Sequence, residues 1–196
     1  DVITITGTSA ANTLVGSSLR DTINGGDDAD TLVGRGGADA LIGGMGTDTA
    51  SYAGGSVAVR ADLSTGAGTG GDAQGDTYSS IENLVGTDLA ETLIGSSAAN
   101  RLEGGKGDDV LAGRGGADQL IGGDGIDTVS YGTSAAAVRV DLSTGIGTGS
   151  DAEGDTYSSI ENIRGSSFAD TLIGSAAANI VEGGDGDDVL AGRGGA

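Results

Sequence analysis

The chain has 196 residues and a formal net charge of -20, with 41 glycines, no proline, no cysteine, no histidine, and Tyr52, Tyr78, Tyr131, Tyr157 and Phe168 as its aromatic residues. These side chains exclude an ordinary globular core and any disulfide framework, and the sign of the charge excludes nucleic acid as a direct partner. So acidic and glycine-rich a chain would be disordered if its leucine, isoleucine and valine were not placed periodically.

Residues 1–24 read as degenerate copies of 80–103. GGDDADTLV at 25–33 and GGMGTDTAS at 43–51 then begin a nine-residue beat, the first with Asp28 at a glycine position and the second with Ala50 at an apolar one. A 25-residue segment follows, in which Val57, Val59, Ala61 and Leu63 alternate with Arg60 and Asp62; this predicts a strand with one buried face. Its glycine-rich loop, STGAGTGGDAQGD, carries Asp72 and Asp76 and reads either as an additional metal loop or as a solvated turn. After TYSSIENLV at 77–85, residues 86–130 divide without remainder into GTDLAETLI, GSSAANRLE, GGKGDDVLA, GRGGADQLI and GGDGIDTVS. The segment then returns, with Val138, Arg139, Val140 and Asp141 in the strand and Asp151 and Asp155 in the loop. TYSSIENIR follows at 156–164, and GGDGDDVLA at 183–191.

Each of the five units at 86–130 has glycine first, an acid or amide sixth and an apolar residue eighth. Glycine permits a tight turn at positive φ with unobstructed carbonyls, the sixth side chain supplies a hard oxygen, and the eighth points inward from a short strand. Such a chain is expected to fold around calcium, expanded without the metal and ordered once its carboxylates are neutralised. Laying Asp48 over Asp127 shows a longer period of 79 residues. The chain is therefore read as one continuous array over 1–196: a partial period at 1–47, a full one at 48–126 and a partial one at 127–196. Two nonapeptides make a turn of about 18 residues, and a period is expected to take about four turns, or about 19 Å of axis. The last residue, Ala196, falls just before an expected sixth-position acid, so a fragment of a longer array is expected.

GGKGDDVLA, GGDGIDTVS and GGDGDDVLA match Gly-Gly-x-Gly-x-Asp-x-U-x, where U is large and apolar, and on these units the chain resembles the RTX, or haemolysin-type calcium-binding, repeat family. The resemblance implies an all-β fold, a parallel β-roll or β-helix solenoid with calcium ions between glycine-rich turns. It also implies export by a one-step type I pathway in Gram-negative bacteria and folding outside the cell, although the C-terminal export signal expected of the family is missing.

Residues eighteen apart are expected to stack, placing Asn12, Asp30 and Asp48 on one edge and Asp21 and Asp39 on the other, then Glu91, Asp109 and Asp127, with Asn100 and Asp118 opposite. The expected calcium pairs are Asp109 with Asp127, Asp30 with Asp48, Asp21 with Asp39, and Asp170 with Asp188. Loop carbonyls would come from units containing Gly25, Gly43, Gly104, Gly107, Gly122, Gly125, Gly183 and Gly186. Edges with Asn12, Asn100 or Asn179 lose a charge and should bind more weakly, and Asp108 and Asp187 read as solvated neighbours. Arg35, Arg114 and Arg193 read as charge-compensating surface residues, and the four tyrosines as core closures at the junctions. Glu82 and Glu161 are explained equally by ligation or by packing of Ile81 and Ile160.

No catalytic residue is expected: histidine and cysteine are absent, Lys106 is the only lysine, and the carboxylates recur at every turn as a scaffold requires. The expected function is a calcium-binding structural module of a secreted or cell-surface bacterial protein of fibre, surface-layer or adhesin type. Its alternative is the folding and export module of a secreted metalloprotease, lipase or alginate epimerase. Expected partners are calcium ions, further copies end to end, and a surface or polysaccharide; no membrane span is expected. Ice binding is disfavoured because Thr-x-Thr ranks stop after Thr4 and Thr6.

Overall fold

A computed structural model describes residues 2–194, so Ala196, on which the expectation of a fragment rests, lies outside the described residues. The strands are short. The first group is β1 (Thr4–Thr6), β2 (Thr13–Val15), β3 (Thr22–Asp27), β4 (Thr31–Val33), β5 (Ala40–Met45) and β6 (Thr49–Ser51). Then come β7 (Arg60–Asp62), β8 (Ala67–Thr69), β9 (Thr77–Ser79), β10 (Asn83–Val85), β11 (Thr92–Ile94), β12 (Arg101–Lys106), β13 (Val110–Ala112), β14 (Gln119–Asp124) and β15 (Thr128–Ser130). The last are β16 (Arg139–Asp141), β17 (Ile146–Thr148), β18 (Thr156–Ser158), β19 (Asn162–Arg164), β20 (Thr171–Ile173), β21 (Val181–Glu182) and β22 (Val189–Ala191).

A nonapeptide spends its last three residues on a strand and its first six on the turn into the opposite sheet. The middle residue of the strand faces inward, and Ile23, Leu32, Leu41, Leu84, Leu93, Leu102, Leu111, Leu120 and Leu172 are fully buried there. Burying one such side chain contributes roughly 1.5–3 kcal/mol, too little to hold an isolated turn, so stability comes from stacking turn on turn. Two sheets of 11 strands result, running β1-β3-β5-β9-β8-β7-β11-β13-β15-β19-β21 and β2-β4-β6-β10-β12-β14-β18-β17-β16-β20-β22. Within the nonapeptide runs all pairing is parallel and in register at eighteen residues, as in Leu14 with Leu32 and Leu102 with Leu120. This is the all-β, parallel solenoid that the repeat implies.

The 25-residue segment departs from the expected single turn. After β6 the chain leaves a gap in the first sheet, lays down β7, doubles back through antiparallel β8, and reaches β9, which pairs parallel with β5. β11 later docks on the far side of β7. Two extra rows thus enter one sheet and none enter the other, so the estimate of four turns per period fails. The second segment repeats the device with β16, β17 and β18, but in the second sheet. The reason is parity: from β6 to β14 a period contains nine strands, an odd number, so each strand's copy falls in the opposite sheet.

The buried face of the hairpin is closed by tyrosine. Tyr52 and Tyr131 are almost wholly buried; the Tyr52 hydroxyl donates to Asp76 at 2.9 Å and lies 2.6 Å from that of Tyr78, and the Tyr131, Asp155 and Tyr157 set repeats this. At Gly68 and Gly147, the inward positions of β8 and β17, a Cβ would fall on the hydroxyl of Tyr78 or Tyr157. Glycine is therefore required by the close approach. Of the predicted strand face, Val59 and Ala61 are buried and Leu63 packs partly on the core, whereas Val57 is 56% exposed and precedes the strand.

Candidate metal centre

The sixth-position side chains form ladders. Oδ1 of Asp39 accepts the backbone N–H of Asp21 (2.7 Å), Asp48 that of Asp30 (2.8 Å), Asp109 that of Glu91 (2.8 Å), Asp127 that of Asp109 (2.9 Å), Asp118 that of Asn100 (2.8 Å) and Asp188 that of Asp170 (2.9 Å). At the hairpins the spacing stretches from eighteen to 37 residues where Asp76 accepts from Asp39, and to 34 where Glu82 accepts from Asp48. Asp155 and Glu161 do the same for Asp118 and Asp127. One oxygen of each acid thus satisfies a backbone donor of the neighbouring turn. Asp76, Asp155, Glu82 and Glu161 belong to the ladders, which spacing alone could not show because the hairpins reorder the rows; Ile81 and Ile160 are buried as well.

The second oxygen divides the loops into two classes. In loops 7–12, 16–21, 86–91, 95–100, 165–170 and 174–179 the second residue is Ser or Thr, and its N–H bonds the sixth side chain. Asp21 therefore receives Ile3 N–H on Oδ1 and Ser17 N–H on Oδ2, and Asp170 receives Val138 N–H and Ser166 N–H. Asn12, Asn100 and Asn179 accept the same second-residue N–H on Oδ1, while the Nδ2 of Asn100 and of Asn179 donates to the carbonyls of Glu82 and Glu161. These loops are closed on themselves.

In loops 25–30, 34–39, 43–48, 104–109, 113–118 and 122–127 the second residue is Gly or Arg, and the second and fourth residues both have positive φ: 111° and 73° at Gly26 and Asp28, 64° and 145° at Arg35 and Gly37, 115° and 100° at Gly105 and Gly107. The second N–H no longer reaches the carboxylate. Oδ2 of Asp30, Asp39, Asp48, Asp109, Asp118 and Asp127 is left buried without a hydrogen-bond partner. A buried charged oxygen without a partner is costly in a finished fold, so these six in matching places are candidate positions for a ligand. Sequence reasoning missed this division, although its signal, Ser or Thr against Gly or Arg at the second position, stands in the chain.

At Gly25, Gly43, Gly104 and Gly122 an added Cβ would fall between Oδ2 of the loop's own aspartate and a carbonyl of the next turn, that of Gly43, Ser80, Gly122 and Ser159 respectively. Carboxylate and carbonyl oxygens thus converge there, the hard donor set that calcium takes at about 2.3–2.6 Å. Gly107, Gly125 and Gly186 are fourth-position residues at positive φ, and a Cβ on Gly183 would fall on Asp188 Oδ2. No three acidic side chains converge on one point among the described residues, so a cation here must draw on backbone oxygens as well. Asp108 is exposed and accepts Ile126 N–H at 2.9 Å, and Asp187 is exposed.

The electrostatics differ between the open loops and the closed loop of Asp21, whereas Glu91, in the closed loop 86–91, is raised by burial despite its bonds to Thr87. Burial pushes the Asp109 and Asp118 carboxyls up to about 7, and raises Asp39, Asp48 and Asp127. Burial works the same way on Asp21, but hydrogen bonds from Ser17 and Ile3 outweigh it and its carboxyl lies below the ordinary range. Open loops thus hold carboxylates that lack a counter-charge, and the closed loop of Asp21 holds one that is already satisfied.

The family model of the RTX calcium-binding nonapeptide repeat matches residues 6–41, 15–50, 85–120, 94–129 and 164–196, together more than half of the chain. The intervening residues 51–84 and 130–163 hold the two hairpins. No curated protein matches the chain. Among the described residues no helix is long and apolar enough to cross a membrane.

Proposed function

Because this chain belongs to the RTX calcium-binding nonapeptide repeat family, whose repeats bind Ca2+ and occur in secreted bacterial proteins, we propose that it is the calcium-folded structural body of a secreted or cell-surface protein of fibre, surface-layer or adhesin type. The observation that carries this reading is the set of six buried, unpartnered carboxylate oxygens in the open loops. Asp30, Asp39, Asp48, Asp109, Asp118 and Asp127 would hold calcium through Oδ2, together with carbonyls of the glycine turns, and Asp188 has the same type of loop. Bound calcium supplies the positive charge that the interior lacks. Asp21 and Asp170 act instead as caps within their own loops.

Regular stacking favours the structural role. Two periods that place their hairpins in opposite sheets give a rod in which an extra pair of rows on one side is answered on the other, as a long repetitive body needs. Folding would follow export, because calcium is scarce inside cells and extracellular sites fill at about 0.1–1 mM. Calcium titration followed by circular dichroism tests the reading: β signal should appear over that range and vanish with chelator. A chain equally folded in chelator would contradict it.

A further inference from the structure

Beside the first hairpin the surface is hollowed. A groove of about 560 Å³ is lined by Val15 and Val33 of β2 and β4, by Ser18 and Ser51, and by Arg35 and Asp72, the last on the 3-10 turn Gly71–Ala73. Its size falls in the roughly 300–1,000 Å³ range of small-molecule sites. Glycine holds it open. A Cβ at Gly36 would have Asp72 Oδ1, 4.0 Å away, as its one neighbour within that distance, and a Cβ at Gly54, where φ is 85°, would have none. A Cβ at Gly55 would stand 3.7 Å from Asp72 Oδ2. The Asp72 carboxylate thus lies between loop 34–39 and the loop that follows β6. Arg35 is exposed and Asp72 half-buried, and among the described residues neither makes a hydrogen bond or an ion pair.

The second period fills the same place. Residues 53–55 are Ala-Gly-Gly but their copies at 132–134 are Gly-Thr-Ser, and Gly71 is answered by Ser150. Arg114, the copy of Arg35, donates to Thr133 Oγ1 at 2.7 Å. The Ser134 hydroxyl lies 2.8 Å from Ser150 Oγ and 3.0 Å from the Ala136 carbonyl, which ties the loop to the hairpin. Gly54, Gly55 and Gly71 have no side chain to do either, so the first period keeps its guanidinium free and its groove clear. Most other cations of the chain are engaged: Arg60, Arg101, Lys106 and Arg139 are all ion-paired.

The groove therefore offers a donor fork at Arg35, an acceptor pair at Asp72, hydroxyls at Ser18 and Ser51 that can do both, and an apolar wall of valine. A sugar ring matches that set, because each of its hydroxyls donates and accepts while its C–H face is apolar. A polyanion is opposed by Asp72 and by the net charge of -20, which stays negative even with calcium in all six open loops. We propose that the groove at Arg35 and Asp72 binds an uncharged saccharide, and that its copy in the second period is closed by Thr133 and Ser134. This gives the adhesin form of the proposed function a ligand class, and its failure would leave the calcium-folded body untouched.

The test is a nuclear magnetic resonance titration of the full chain in saturating calcium with neutral trisaccharides of glucose, galactose and mannose, and with a hexuronate trisaccharide as charged comparator. The expected result is that a neutral trisaccharide binds and shifts the signals of Arg35, Ser51 and Gly54, while those of Arg114, Ser130 and Thr133 stay in place. Asp72→Ala should weaken that binding about tenfold or more, by loss of hydrogen bonds to a charged acceptor. The exchange Ala53→Gly/Gly54→Thr/Gly55→Ser, which writes the second period's loop into the first, should do the same. Failure of every neutral trisaccharide to bind, preference for the hexuronate, or binding that both variants leave unchanged would overturn the proposal. Circular dichroism checks the fold of each variant. If the loop exchange does not fold, Asp72→Ala, which removes no hydrogen bond of the protein, decides.

Discussion

Loop 16–21, GSSLRD, and loop 104–109, GGKGDD, carry the same aspartate at the same position, and each uses Oδ1 on a backbone N–H of the neighbouring turn. They differ in the other oxygen. Ser17 folds its N–H onto Asp21, whereas Gly105 at positive φ leaves Asp109 Oδ2 buried and unbonded. The comparison teaches that the second loop residue decides whether the carboxylate's second oxygen is bonded within its own loop or left without a partner. On the function proposed above, runs of closed loops hold the stack while runs of open loops make it metal-dependent.

The comparison is broken most forcefully by removing the two aspartates in turn. Asp109→Ala should weaken calcium at least tenfold at its site, about 1.4 kcal/mol or more, as read by calorimetric titration. Asp127→Ala should act on the same ion, so the double variant should cost less than the sum of the singles. Asp21→Ala should leave the number of bound calcium ions unchanged but strip partners from Ile3 N–H and Ser17 N–H, at about 1–3 kcal/mol for each donor left buried. Thermal unfolding in saturating calcium reads that loss. Equal loss of calcium from Asp21→Ala and Asp109→Ala would erase the distinction between the loops.

A smaller effect sharpens it through pH. Burial raises Asp109 and Asp118 to about 7 against an ordinary value of 3.8, so without metal the folded state binds more protons than the unfolded one between those limits. The metal-free fold should gain stability as pH falls from 7 towards 4 and lose it as pH rises through 7. In chelator, the β signal should therefore be larger at pH 5 than at pH 8, and the reverse order would contradict the burial argument. The smallest effect is at Asp108, exposed beside Asp109: Asp108→Ala should stay within about 0.5 kcal/mol in stability and leave calcium binding nearly unchanged.

The inward residues and sixth-position acids were legible in the chain because the nonapeptide fixes both by local spacing: Leu32, Leu102 and Leu120 fall where the eighth position puts them, and Asp109 stacks with Asp127 at eighteen residues. The hairpins were not. Strand β7 is laid down two rows ahead of its turn and the gap is filled backwards, an order set by tertiary pairing that a 25-residue segment with one alternating strand does not display. Arg35 and Arg114 were legible as loop residues but not as left-handed ones, since that conformation costs a residue with a Cβ roughly 1–2 kcal/mol and is imposed here by the stack. The closed loops were encoded by Ser17 and Ser166, but their meaning depends on a bond across four residues that only the folded loop makes.

The central claim is that the open-loop oxygens are calcium ligands on which the fold depends. Circular dichroism of the full chain during calcium titration, repeated after chelation, tests it most directly. A reversible coil-to-β transition at about 0.1–1 mM calcium is the result this account predicts. A β spectrum of undiminished strength in excess chelator at pH 8 would contradict it.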